Sequence, residues 1–198
     1  MRLPLTALIC LSAACAFAQT SARHEIGLTL GRVSSSTASG VTAEPGRAWQ
    51  ANYGLPLYEA PRVALLFETH LLAAPLREVM SSNARVSRDF ASLYITPGLR
   101  VKFVPAARVS PYVAAGAGYA LYENSTTRRD GRPNEAPRTN STAAFQFGGG
   151  VDVRLWRWIG LRLEARDFIT GRPAYNVAVP GRQHSVMIGG GFVISIPR

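Results

Sequence analysis

Cysteine is almost missing from this 198-residue sequence, and the two that occur, Cys10 and Cys15, both lie near its start. Beyond Cys15 no thiol remains for a disulfide, a zinc site or nucleophilic chemistry. Lysine is scarcer still, since Lys102 stands alone and every other basic residue is arginine. Histidine appears only at His24, His70 and His184. After the first residues no segment approaches 18 consecutive apolar positions, so membrane-spanning helices are excluded.

What is present begins with an export pattern. Met1-Arg2 is a short basic start, Leu3 to Ala16 is apolar and uncharged, and Ala16-Phe17-Ala18 supplies small residues around a cleavage point. This reads as a secretory signal peptide over residues 1–18, leaving one mature domain over 19–198. A competing route is lipoprotein processing at Cys15, but Ser12 stands where that route prefers a large aliphatic residue. Without Arg2 there are 21 basic side chains against 12 acidic ones, a net charge of +9. An exported chain does not normally meet nucleic acid, so anionic lipid headgroups or sugar phosphates are the expected partners.

Alternation of residue type then recurs eight times. In Ser92 to Phe103 one face carries Leu93, Ile95, Pro97, Leu99, Val101 and Phe103, and the other Ser92, Tyr94, Thr96, Gly98, Arg100 and Lys102. Ile159 to Arg166 sets Ile159, Leu161, Leu163 and Ala165 against Gly160, Arg162, Glu164 and Arg166. Strands send successive side chains to opposite faces, whereas helical spacing would mix these sets. The remaining segments are expected near His24–Val33, Arg47–Leu57, Arg62–Leu72, Pro111–Tyr122, Thr142–Leu155 and His184–Ile196.

Alternation alone does not say which face is the core. A soluble barrel turns its apolar face inward, and a membrane barrel turns it outward to lipid. Three features favour the membrane. Connections alternate long (Ser34–Gly46, Ala73–Asp89, Glu123–Ser141, Gly171–Gln183) with short (Tyr58–Pro61, Val104–Ser110, Trp156–Trp158). Aromatics gather beside the short turns (Tyr58, Phe103, Tyr112, Trp156, Trp158) and near the long loops (Trp49, Phe90, Tyr122, Phe145, Phe168), as two interfacial girdles would. The strands also have the length that a tilted strand needs to cross a bilayer. The fold class expected is an all-β, eight-stranded antiparallel up-and-down transmembrane barrel.

The runs Ser110-Pro111-Tyr112-Val113-Ala114-Ala115-Gly116-Ala117-Gly118, Phe147-Gly148-Gly149-Gly150-Val151-Asp152 and Leu161 to Phe168 resemble small eight-stranded outer-membrane barrels of the OmpA-like and OmpX-like families. The resemblance covers essentially all of residues 19–198. It implies a place in the outer membrane of Gram-negative bacteria, contact with its lipids and lipopolysaccharide, and a monomer. It also implies insertion by the barrel-assembly machinery, whose signal Gly191-x-x-Ile194-x-Ile196 fits in spacing, although the chain ends on Pro197-Arg198 rather than an aromatic residue.

Placing the polar faces inward gathers Glu25, Glu68, His70, Arg100, Lys102, Asp152, Arg154, Arg162, Glu164 and Arg166 into a lumen network. In so narrow an interior charges must pair or keep water, so a plugged barrel is expected. No catalytic, cofactor or metal residues are expected. His184 and Ser185 are adjacent on a strand and point to opposite faces, so they cannot share a proton. The glycine triplets at 148–150 and 189–191 lie within strand patterns with no phosphate-loop continuation, and there glycine relieves crowding. Asn124 and Asn140 begin glycosylation-like triplets that a bacterial setting discounts. Arg128, Arg129, Arg132 and Arg138 in one long loop suit phosphate or carboxylate groups at the surface. A structural or surface-contact role heads the expectations, followed by a narrow channel for small solutes and then by a lipid-modifying enzyme.

Overall fold

The computed structural model describes residues 24–37, 41–171, 175–176 and 181–196. The leader and both cysteines fall outside these residues. Eight strands follow in order: β1 (His24–Thr37), β2 (Thr42–Glu59), β3 (Val63–Met80), β4 (Asp89–Phe103), β5 (Val109–Asn124), β6 (Thr139–Arg154), β7 (Ile159–Thr170) and β8 (Gln183–Ile196). Each pairs antiparallel with its sequence neighbour, and β8 returns to pair with β1, so the sheet closes into a barrel. Closure leaves no unpaired edge, which is the condition for strands to stand in lipid.

The faces are inverted relative to a soluble barrel. Leu28, Leu30, Leu163, Ile188 and Phe192 are exposed on the outer wall, while Glu68, His70, Arg100, Arg162 and Arg166 are buried inside. Tyr58, Phe103, Trp156 and Trp158 belt the short-turn end on the outside, and Trp49 and Phe145 stand outward toward the loops. The expected girdles are corrected at four positions: Phe90, Tyr122, Phe168 and Tyr112 all point into the lumen. An aromatic ring is compatible with either face, so its place along the strand does not reveal its direction.

The strands run longer than the alternation alone indicates. Ala73 to Met80 continues β3, and Ser34 to Thr37 and Thr42 to Gly46 extend β1 and β2, so the first connection shrinks to residues 38–41. Bulges hide these extensions. The β3–β4 register shifts between Ala74 and Arg77, and the β1–β2 register shifts between Val33 and Ser35. Each extra residue inverts the parity of the residues beyond it, which ends the visible alternation while pairing goes on. Around Pro75 the inward set changes from Leu72 and Ala74 to Arg77 and Val79.

Glycine thins the wall where neighbouring backbones press together. A Cβ on Gly191 would lie 1.9 Å from the carbonyl oxygen of Leu28, and one on Gly118 would lie 2.0 Å from that of Ile95. Neither position accepts a side chain without parting the strands.

Candidate functional site

The lumen is filled in two storeys. At the short-turn end, Asp152 on β6 stands directly opposite Arg162 on β7. The guanidinium donates through Nε to Oδ1 at 2.7 Å and through Nη2 to Oδ2 at 2.8 Å. Its Nη1 donates to Asn52 Oδ1 at 2.6 Å, and its Nη2 lies 3.4 Å from Glu25 Oε2. Glu25 also accepts from Lys102 Nζ at 2.6 Å and from Arg100 Nη1 at 3.1 Å. Lys102 closes the ring on Asp152 at 2.8 Å.

One layer further in, Glu68 meets Arg100 Nε at 2.7 Å and Arg166 Nη1 at 2.6 Å. Glu164 accepts from Arg166 Nε at 2.9 Å, from the Tyr112 hydroxyl at 2.9 Å and from Gln50 Nε2 at 3.2 Å. His70 bonds through Nε2 to Gln50 Oε1 at 2.8 Å and lies 3.8 Å from Glu68. The Tyr112 ring packs against both Arg100 and Arg162, whose guanidinium carbons are 5.2 and 5.0 Å from its centre. Multiple partners per charge are what a desolvated ion needs, because a single contact rarely offsets the loss of water.

Arg154 is not in this network. It ends β6, is exposed, and donates to the backbone carbonyls of Pro105 (2.7 Å) and Ala106 (3.0 Å) on the neighbouring turn. The sheet stops there, so the side chain reaches the rim rather than the interior. Its departure leaves Glu25, Glu68, Asp152 and Glu164 facing Arg100, Lys102, Arg162 and Arg166, an even balance. Below this layer a vestibule of about 390 Å³ opens at the short-turn end, floored by Glu25, Lys102 and Asp152.

Of the residues that fill the upper storey, the alternation in the sequence places Tyr94 alone on a polar, inward face. Leu72, Phe90, Tyr94, Tyr122, Phe168, Tyr175 and Met187 fill it, all buried. Their polar atoms form a hydroxyl chain: Ser35 Oγ to Ser185 Oγ at 2.8 Å, Ser185 to the Tyr94 hydroxyl at 3.0 Å, and the Tyr122 hydroxyl to Thr170 at 2.8 Å. Arg77, turned inward by the Pro75 bulge, donates to Ser35 Oγ at 3.0 Å and Ser92 Oγ at 3.4 Å and lies 4.9 Å over the Phe90 ring. Among the described residues no acid pairs with it. The sequence signal is Pro75 itself, since proline inside a strand marks a bulge. Burial among tyrosines pushes the Tyr175 hydroxyl well above its ordinary range.

The loops above are tied to one another. Val86 is fully buried, Ser87 N donates to Tyr175 O at 3.0 Å, and Arg129 N donates to Val86 O at 3.1 Å. Asn134 Nδ2 reaches Ser87 Oγ at 2.9 Å. The loop arginines largely serve this knitting. Arg128 lies 3.4 Å from Asp130, and Arg129 donates to the carbonyls of Val79 and Ser81. Arg138 holds Glu123 through two donors, whereas Arg132 is exposed. Gly131, with φ of 79°, makes the turn between Arg128 and Arg132. The other two histidines lie outside the lumen: His24 meets the Tyr53 hydroxyl at 2.6 Å, and His184 meets Asp167 at 2.8 Å. Ser185 faces inward while His184 is exposed, so the two point apart.

An eight-stranded, closed, up-and-down sheet with an apolar outer wall and a charged interior defines a small outer-membrane β-barrel. The family model described as outer membrane protein beta-barrel domain matches residues 3–192, and the chain belongs to that family. Among solved structures it is similar to Neisserial surface protein A (13% identity, 86% of this chain and 96% of that one, TM-score 0.59). It is also similar to OprG of Pseudomonas aeruginosa (12% identity, 90% and 98%, TM-score 0.54). A third is Ail, the attachment invasion locus protein of Yersinia pestis, solved with the heparin analogue sucrose octasulfate (13% identity, 88% and 100%, TM-score 0.52). At these identities the likeness speaks for the fold. No curated protein matches the chain by sequence.

Proposed function

We propose that this barrel is a structural or surface-contact protein of the bacterial outer membrane whose lumen is plugged. The observation that carries the reading is the complete burial of Arg100 and Arg162 and near-complete burial of Arg166 across the short-turn half of the lumen, beneath a second storey of packed aromatic rings. Side chains bonded this densely leave no room for a hydrated solute. The interlocked loops then become the working surface, with exposed arginines available to phosphate- or sulfate-bearing partners. The similar barrel Ail was solved in complex with the heparin analogue sucrose octasulfate, a sulfated ligand of the kind that such arginines would take.

The chain is exported by residues 1–18, inserted by the assembly machinery and held as a monomer, with its long loops outside the cell and its short turns in the periplasm. The purified barrel should show no steady conductance in a planar bilayer. A large, stable conductance would establish the channel reading instead. A cysteine at Glu135 should react with an impermeant maleimide on intact cells, and one at Arg157 should not. Reversed labelling would overturn the orientation.

A further inference from the structure

Every charged side chain of the lower network has an opposite charge within reach, and its four acids and four bases leave no surplus. Arg77 on β3 has no such partner. It is only 4% exposed, and Gly46 on β2 makes room for its stem, since a Cβ there would lie 2.7 Å from Arg77 Cδ. All twelve acidic side chains of the sequence lie among the described residues, and none of them pairs with it. Glu78, the next residue, is exposed on the opposite face of the strand. Arginine keeps its proton at any working pH, so the buried charge persists.

The guanidinium is held firmly on one side only. Nη1 donates to Ser35 Oγ at 3.0 Å, and Ser35 continues to Ser185 at 2.8 Å. On the other edge Nη2 reaches Ser92 Oγ at a long 3.4 Å, and the buried Nε has no acceptor among the described residues. Ser92 accepts in that contact, which leaves its own proton for a further acceptor. The groups around the guanidinium are the phenols of Tyr94, Tyr122 and Tyr175 and the Phe90 ring. None carries a negative charge at neutral pH, and a ring face offsets only part of what a full charge loses on leaving water.

Two parallel N–H groups with a hydroxyl beside them form a donor set for an anion. Ser92 also lines a trough of about 730 Å³ that opens near the loops, so packing is open next to this edge. Glu123, the acid on that trough, is exposed and held by Arg138 at 3.0 Å. A single unpaired cation selects a monovalent ion, because a dianion would bring a new unpaired charge into the same interior. We propose that Arg77 binds one chloride-sized monovalent anion through Nε, Nη2 and the Ser92 hydroxyl, and that this ion is the counter-charge which no side chain supplies.

The refolded mature protein in detergent tests the site. Exchanging sodium gluconate for sodium chloride at constant ionic strength, from about 10 to about 500 mM chloride, should lower the unfolding equilibrium constant about tenfold. Bromide should act like chloride. Arg77→Met should lose the response, and Ser92→Ala should need several times more chloride for the same effect. Crystals grown in sodium bromide should show an anomalous peak at hydrogen-bonding distance from Nε. A wild-type protein that does not respond, or an Arg77→Met variant that responds as strongly, overturns the assignment. If that variant does not fold, the bromide map of the wild-type protein decides: a peak beside the guanidinium sustains the site, and water alone there overturns it.

Discussion

In the half of the lumen near the short turns, every acid meets at least one base and every base at least one acid; in the half near the loops, Arg77 is buried with two serine hydroxyls and a phenyl ring and, among the described residues, no acid. The same strands supply both halves. Charge pairing fills one, and aromatic volume with a hydroxyl chain fills the other. The contrast teaches that the barrel needs its interior occupied more than it needs any one chemistry there. The two fillings differ in what a substitution leaves behind. Removing an ion from the lower half leaves opposite charges short of a partner, whereas removing Arg77 leaves only two neutral hydroxyls, of which Ser35 keeps its bond to Ser185.

Denaturant unfolding of the detergent-folded protein can break that comparison. Arg162→Met leaves Asp152 with Lys102 alone and takes one of Glu25's three basic partners, and should cost about 3 kcal/mol; a cost below about 1 kcal/mol would mean that the lower half does not depend on pairing. Phe168→Ala opens a cavity between Tyr94 and His70 and should cost about 3 kcal/mol, the usual scale for a buried ring. Glu164→Ala removes one of Arg166's two carboxylates and should cost about 2 kcal/mol, while loop Glu135→Ala stays within about 0.5 kcal/mol. Equal shifts for these two would refute the assignment of Glu164 to the network. The smallest effect sharpens the contrast most: Arg77→Met replaces a buried cation that has no acid beside it with an apolar chain and should shift stability by less than about 1 kcal/mol, in either direction. A large loss there would show that the upper half depends on its charge as much as the lower.

The lower half is legible in the sequence because strict alternation carries direction with it. Once Leu161 and Leu163 face lipid, Arg162 and Glu164 have to face inward, and Arg100 and Lys102 follow in the same way. Arg154 escapes this reasoning because it terminates β6, where direction is set by the turn carbonyls beyond. Arg77 escapes because the extra residue at Pro75–Leu76 reverses parity, so counting from Leu72 aims it outward. Phe90, Tyr122 and Phe168 escape for another reason. Near a loop an aromatic ring satisfies the interface as well as the interior, and only the closed sheet shows which side it fills. The loop contacts are not legible at all, since Asn134 to Ser87 and Arg129 to Val86 join distant segments without any local pattern.

The seam between β1 and β8 has a consequence in time. Seven of the eight strand pairings join sequence neighbours and can form as hairpins. The eighth joins His24 to Ile196 and continues to Thr37 opposite Gln183 without a register shift. Bringing the two ends of the chain together carries the largest loop-closure entropy in the molecule and comes after the local pairings. Until β8 arrives, β1 has an open edge that lipid cannot satisfy. The barrel is therefore committed to the membrane by its last strand, and a chain stopped short of β8 would have seven strands' worth of sequence and no stable place to stand.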